Sequence, residues 1–406
     1  MKNEKNKKNK WVKFRHSLFY IITQPIIRIY TRIVYRAKVK RFKGNKRRQY
    51  LILSNHQTPF DQFFANMLIR KHLYCVASED LFSNGFVSRL MSFVFAPIPI
   101  KKQTTDPKAV FTCARVIKQG GSIYMAPEGN RTYSGKTEHI NDAVTKLIKL
   151  LKIPVILMRI EGGYGVQPRW SDKVRRGKLN IYADRVLEPE EFQDLSDEQL
   201  FSIIQKSLFV NEAKAEIYKG NKRAEYLERA MYVCPYCGLA EFESNKNIIK
   251  CKKCGKEIEY SITKELKGIG FDFPFRFVND WYEYQQDFIS KLDLSSKGEK
   301  PFFVDTAKMS EVVLYDKKVV LDKNAKLSLF GDKLLVRFND RPSAIYTFEQ
   351  ISAVTVLGRN KLNVYVNDKV YQFKGDKRFN ALKYVNFYYH YLNLKENNSN
   401  GKFLGF

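Results

Sequence analysis

The amino-acid sequence predicts an α/β fold: a mostly parallel sheet with flanking helices, followed by a small cysteine-held ribbon and a small β-rich barrel with a C-terminal helix. Three observations predict it. From about residue 48 to 185, apolar runs of strand length alternate with segments of helical period. Four cysteines then fall as two close pairs between 234 and 254. Beyond about 308, short strand patterns recur at regular spacing and end in an amphipathic segment. At 406 residues the chain is long enough for several domains. We place them at 1–45, 46–230, 231–262, 263–300 and 301–406.

In the first folded part, "YLILSN" reads as a buried strand and "FDQFFANMLIRK" as a helix with apolar positions three and four apart. "LYCVAS" is a second strand, "NGFVSRLMSFVF" a helix or membrane-facing segment, and "APIPI" a short strand edge. "DPKAVFTCARVIKQGG" opens with Asp-Pro and closes with Gly-Gly, the start and stop signals of a helix. "SIYMAPEG" runs from strand into loop, "NDAVTKLIKLLK" is helical, and "IPVILMRIEG" is a strand. Strands alternating with helices give a layered α/β architecture. The charged segment from about 196 to 229 reads as helical.

"CPYCG" and "CKKCG" place Cys234, Cys237, Cys251 and Cys254 as two CxxC pairs. Two intervening residues let both thiolates of a pair reach one tetrahedral ion, and the following glycine permits the tight turn. Four sulfur ligands close a coordination shell, so the expected unit is a zinc ribbon holding structural zinc. Cys75 and Cys113 sit in apolar surroundings and read as core residues. Residues 263–300 read as a connector, with the aromatic helix "DWYEYQQDFISKL" followed by the linker composition "SSKGEKP". The strand patterns beyond it, among them "KLLVRF", "AIYTF", "KLNVYV" and "KVYQF", lead to "RFNALKYVNFYYHYLNL". That pattern resembles the pleckstrin-homology-like barrel family.

Charge is uneven. The chain holds 71 Lys and Arg against 42 Asp and Glu, and residues 1–50 supply +16 of the net +29. A cationic arm seeks an anionic surface. Here the charges interleave with Trp11, Phe14, Leu18, Phe19, Ile26, Ile27, Ile29, Tyr30 and Val34. Bulky aliphatics at this density suit a helix lying in lipid headgroups, and nucleic acid is not the expected partner. A spanning helix needs about 20 apolar residues; the longest uncharged stretch, Ser17 to Ile27, is shorter and contains Pro25. We therefore expect surface attachment by two helices broken at Pro25. With no export signal and thiols of the metal-binding kind, the expected place is the cytoplasmic face of the cell membrane.

"ILSNHQTPFD" sets His56 five residues before Asp61 in the loop after the first buried strand. Open α/β sheets place ligands at the carboxyl ends of their strands. A carboxylate at the start of the next helix can hold the imidazole tautomer so that the other ring nitrogen accepts a proton. The alternative is a helix-terminus arrangement, with Asp61 at the N-terminus and His56 merely exposed. "APEGNRT" follows another strand and brings Glu128, Gly129 and Arg131. Glycine admits close backbone approach and Arg offers a fork for phosphate oxygens. "PIPIKK" adds Lys101 and Lys102 at the same edge.

These residues carry a family resemblance. Asn55-His56-x4-Asp61 is similar to the NHxxxxD motif of the glycerolipid acyltransferase family, the group containing 1-acylglycerol-3-phosphate acyltransferases. Pro127-Glu128-Gly129-Asn130-Arg131-Thr132 resembles its second signature, FPEGTRS, "PIPIKK" its intermediate block and "IPVILM" its last. Ala126, Asn130 and Thr132 depart from the usual residues, and Lys101 or Lys102 stands where Arg is common. The resemblance implies transfer of a fatty acyl group from acyl-CoA or acyl-carrier-protein to the hydroxyl of a lysophospholipid. His56 is then the general base, oriented by Asp61, and Asn55, Lys101, Lys102, Glu128, Gly129 and Arg131 bind substrate. The alternative function is a non-catalytic lipid-binding scaffold acting through the ribbon and the C-terminal domain.

Overall fold

Leu51–Ser54 is buried at all four positions, as a strand covered on both faces requires. The computed structural model describes residues 10–45, 47–100, 106–294, 300–313 and 317–396. The first nine residues of the basic arm, Lys101, Lys102 and most of the linker at 295–301 lie outside them. The chain divides into two units, one of Met1–Pro168 with Val174–Glu212 and one of Arg169–Lys173 with Ala213–Phe406.

The first unit is built on seven strands: β1 (Ala37–Val39), β2 (Leu51–Ser54), β3 (Tyr74–Ser78), β4 (Ile98–Ile100), β5 (Ile123–Met125), β6 (Val155–Glu161) and β7 (Leu179–Leu187). Their order is β1-β7-β6-β2-β5-β3-β4. Every neighbouring pair is parallel except β6 with β7. The longer helices are α1 (Phe14–Val34), α2 (Asp61–Ile69), α3 (Phe86–Phe95), α4 (Pro107–Lys118), α5 (Ala143–Leu151) and α6 (Asp197–Leu208). On one sheet face Leu51, Leu53, Ile123, Val155 and Leu157 pack with Val116, Ile148 and Ile204 from α4, α5 and α6. Ile52 and Ile156 alternate to the opposite face and are also fully buried, so these strands read as continuous apolar runs. The expected helix signals act as caps. Asp106 accepts from the Ala109 N–H with Pro107 in the first turn, and Ser196 and Gln199 form a capping box.

Two expectations are corrected. Pro25 does not divide the N-terminal segment: α1 runs unbroken through it. Proline removes one N–H from the ladder, and the turns on either side remain helical. The segment 196–229 is helical only as far as Leu208. There the chain is drawn off to pair with 136–137: Thr137 N donates to Val210 O at 2.8 Å and Val210 N to Thr137 Oγ1 at 2.9 Å.

α1 is anchored by a buried imidazole. His16 and His72 are 1 % and 6 % exposed, and His16 Nδ1 lies 3.1 Å from the Tyr74 hydroxyl. Burial lowers both imidazoles from 6.5 to about 4, aided at His16 by Arg15 and Lys13 and at His72 by His16. Both are neutral in the folded chain near pH 7, and the unfolded chain takes up protons first as acid is added. The stability they allow is thus whole above pH 6.5 and is lost as pH falls to about 4. We expect the urea midpoint of the first unit to drop steeply across that window; a flat midpoint there contradicts the assignment.

In the second unit, hairpin β8 (Val233–Cys234) with β9 (Gly238–Leu239) precedes the antiparallel meander β10 (Phe242–Asn245), β11 (Ile248–Cys251), β12 (Glu257–Tyr260) and β13 (Leu266–Gly268). Residues 213–230, grouped by the sequence with the first domain, pack on this meander: Tyr218 N donates to Ile262 O and Ala224 N to Lys246 O. The aromatic helix α7 (Val278–Ser290) is not a free connector. Trp281 Nε1 donates to Val233 O, and the Gln285 amide bonds Ala230 O and the N–H groups of Tyr232 and Val233.

Seven antiparallel strands follow: β14 (Phe303–Glu311), β15 (Val319–Leu329), β16 (Lys333–Arg337), β17 (Ala344–Thr347), β18 (Ile351–Leu357), β19 (Lys361–Val366) and β20 (Lys369–Lys374). Their order is β17-β16-β15-β14-β20-β19-β18, a curled half-barrel in which the first strand pairs with the second and the last. Helix α8 (Leu382–Lys395) completes it. α8 was expected to be amphipathic, yet every residue from Leu382 to Tyr388 is buried. Polar members find partners there: Lys383 reaches Asp305 at 2.7 Å and Tyr388 OH donates to Ile351 O.

Candidate active site

β2 and β5 are parallel neighbours, so the loops that leave their carboxyl ends meet at one rim of the sheet. The β2 loop carries His56 into α2, which begins at Asp61. His56 Nδ1 lies 2.8 Å from Asp61 Oδ2. A carboxylate only accepts, so the ring proton is on Nδ1 and the lone pair on Nε2. Asp61 is fully buried, whereas the His56 side chain is 25 % exposed. The same carboxylate accepts from Gln57 N at 2.7 Å, Thr58 N at 3.0 Å and Thr58 Oγ1 at 2.6 Å. It therefore shapes the loop as well as orienting the ring. Thr58 thus braces the carboxylate from the loop just before the helix.

The β5 loop is tied to this one from beneath. Glu128 Oε1 accepts from His56 N at 2.7 Å and Oε2 from Glu138 N at 2.9 Å. Thr132 N donates to His56 O at 3.2 Å. Burial pushes the Glu128 carboxyl well above the usual carboxylate range, against the two backbone N–H groups that favour its charge. Gly129 is exposed with φ +69°, a left-handed turn position that favours glycine. Arg131 donates from Nε to Gln57 O at 3.1 Å and from Nη2 to Gln167 O at 2.7 Å.

Two residues expected to touch substrate are fully buried and bonded to the backbone. Asn55 is fully buried, with Nδ2 donating to Ile160 O and Oδ1 accepting from Ile160 N, both at 2.8 Å. Its amide imitates one more rung of the β2–β6 ladder. Glu128, also fully buried, binds backbone on both oxygens. The rim thus brings His56, Asp61, Gly129 and Arg131 together on a base of Asn55 and Glu128; Lys101 and Lys102 follow β4, outside the described residues.

The sequence also missed Glu212. Its carboxylate is buried and accepts from the N–H groups of Gly162, Gly165 and Tyr164, at 2.7, 3.0 and 3.3 Å. It braces the turn that leaves β6 and leads to Gln167. No spacing signal announces it, since it lies 50 residues beyond its partner.

Residues 32–161 match the family model described as Acyltransferase. That stretch is similar to an acyltransferase domain. Its match spans β1 to the end of β6 and contains His56, Asp61 and the 128–131 turn. Among solved structures, the chain is similar to PlsC, the 1-acyl-sn-glycerophosphate (LPA) acyltransferase from Thermotoga maritima, at 17 % identity over 47 % of this chain and 76 % of that one, with a TM-score of 0.39. It is also similar to the N-terminal PH domain of human ARAP2, at 17 % identity over 24 % of this chain and 87 % of that one, with a TM-score of 0.21. A comparison with curated proteins finds no match.

The four cysteines of the second unit form a separate cluster. Their sulfurs lie within 4.8 Å of one another, with Cys234 to Cys254 at 3.8 Å and Cys237 to Cys251 at 3.6 Å. A tetrahedron with metal–sulfur bonds of about 2.3 Å has edges of about 3.8 Å. The donor set and its spacing fit a closed thiolate metal site.

Proposed function

We propose that the chain transfers a fatty acyl group from a thioester donor, acyl-CoA or acyl-carrier-protein, to the free hydroxyl of a lysophospholipid. The acceptor we assign is 1-acylglycerol-3-phosphate, with phosphatidic acid as product. The observation that carries this reading is the His56–Asp61 pair, held at hydrogen-bond distance on the loop that Glu128 ties to the 128–131 turn. His56 Nε2 takes the hydroxyl proton as the alcohol oxygen bonds to the thioester carbonyl carbon. Asp61 steadies the imidazolium that forms. The carbon–sulfur bond then breaks, and the departing thiolate takes the proton back from His56. In this proposal Gly129 and Arg131 bind the acceptor's phosphate, and Lys101 and Lys102 assist.

The membrane is approached through α1. Phe14, Leu18, Ile21, Ile22, Ile26, Ile29 and Ile33 are exposed at helical spacing, and α3 adds exposed Phe86, Val87, Leu90 and Phe93. Arg15 lies 4.1 Å over the Phe93 ring and joins the two helices. An apolar stripe flanked by Lys and Arg suits the headgroup layer of an anionic membrane surface. Among the described residues no helix is long and apolar enough to cross a membrane. The cysteine cluster holds structural zinc and keeps the ribbon folded.

The test is an acyl-transfer assay of the purified, zinc-replete protein on vesicles, with a panel of lysolipids and both donor types. Transfer should be fastest to 1-acylglycerol-3-phosphate. Faster transfer to another lysolipid corrects the acceptor alone, and no transfer to any of them refutes the enzyme.

A further inference from the structure

Within the first unit, α1 ends on a hydrogen-bonded path that leads to the rim. Its C-terminal cap is Tyr35, whose N–H donates to Thr31 O at 3.0 Å, so this residue is part of the helix end. The Tyr35 hydroxyl donates to Gln167 Oε1 at 2.6 Å, and the two residues are 2 % and 4 % exposed. Gln167 O accepts in turn from Arg131 Nη2 at 2.7 Å, while Arg131 Nε donates to Gln57 O at 3.1 Å. Two carbonyls thus fix the plane of a rigid fork.

The Gln167 carbonyl lies where the backbone gives little support. Glu212 and the Gln167 N–H, which donates to Gly163 O at 2.9 Å, hold the turn before it. The next residue is Pro168, which has no N–H to donate. The Tyr35 bond to the Gln167 side chain supplies a hold that the Pro168 nitrogen cannot. The end of α1 meets the other loop as well. Tyr30 and Tyr35 pack on Phe60, with ring centroids 5.5 and 5.0 Å from its own, and Phe60 directly precedes Asp61.

We propose that Tyr35 is a positioning residue for acceptor binding: it sets the Arg131 fork through Gln167, and so ties the grip on the acceptor's phosphate to the seating of α1. The kinetic half of this rests on the acyl-transfer reading above; the tether between Tyr35 and Arg131 does not.

The experiment compares the full zinc-replete protein with Tyr35→Phe, and with Gln167→Met, which removes the same bond from the other side at nearly constant volume. The first readout needs no catalysis. Arg131, which is half-buried, is modified with phenylglyoxal and followed by mass spectrometry, with exposed Arg47 as the internal reference. Both variants should speed the modification of Arg131 several-fold while Arg47 reacts as before. The second readout is steady-state transfer on vesicles. KM for 1-acylglycerol-3-phosphate should rise about tenfold, the order expected when one buried hydrogen bond is lost. The donor's KM and kcat should stay close to the parent's, since lost binding raises KM without slowing the chemistry. Modification of Arg131 at the parent rate in both variants, or an unchanged acceptor KM, overturns the proposal. So does a fall in kcat with both KM values raised and the unfolding temperature lowered, which marks a merely structural residue. Absence of transfer by the parent protein refutes the acyl-transfer reading instead, and the Arg131 modification then decides the tether by itself.

Discussion

Replacing His56 with Ala is expected to lower acyl transfer by roughly 10²–10⁴-fold, the range a positioned general base contributes, while folding and vesicle binding stay unchanged. The fold should tolerate it because the His56 side chain is partly exposed and its loop is held by other groups. Asp61 keeps the Gln57 and Thr58 donors, and Glu128 keeps the His56 backbone N–H. Asp61→Asn is expected to behave differently. Its amide nitrogen brings hydrogens toward N–H groups that need an acceptor, so the loop loses stability along with the imidazole's orientation. Initial rates on lysolipid vesicles, paired with thermal unfolding of each variant, separate the two. Transfer by His56→Ala at close to the parent rate would refute the base and favour the scaffold reading, in which the chain binds lipid without chemistry.

Stripping the proposed zinc should have the largest effect on stability. Structural zinc contributes about 10–16 kcal/mol of apparent binding energy in small zinc-held units near neutral pH. Cys234 and Cys237 sit in the β8–β9 hairpin and Cys251 and Cys254 at the β11–β12 turn, so losing zinc frees both turns. The loss should spread to α7, because Trp281 Nε1 and the Gln285 amide are bonded to the backbone at 230–233, beside Cys234. Chelation, or Cys251→Ser at a fully buried ligand position, is therefore expected to expose Trp281 and shift its emission to the red, with zinc released at one ion per chain. Metal analysis finding no zinc in gently purified protein, or an unshifted emission after chelation, would contradict this.

Much of this protein could be read from the chain because its signals are local. The strand at Leu51–Ser54, the Asp106–Pro107 helix start and the two CxxC turns each depend on residues within a few positions of one another. The sequence correctly assigned the mostly parallel sheet, since period alone distinguishes strand from helix. It misjudged Pro25, because a proline's missing N–H is tolerated when its neighbours have other reasons to stay helical. It also took α8 for amphipathic, since an aromatic and polar composition does not reveal what will cover the polar face. Here Asp305 and Ile351 O, from distant strands, satisfy Lys383 and Tyr388.

At the site the same line divides the residues. His56 and Asp61 are five apart, so their pairing follows from one turn of chain and was legible in the sequence. Asn55 and Glu128 looked like substrate ligands because they stand inside motifs beside reactive groups. Only the folded sheet assigns them to Ile160 and to the backbone of His56 and Glu138. Sequence by itself determined the residue types, their local spacing and the strand-to-loop positions from which they project. Tertiary structure decided which polar groups face outward and which are consumed in holding the loops. A buried donor or acceptor must be satisfied, and its partner can lie a hundred residues away.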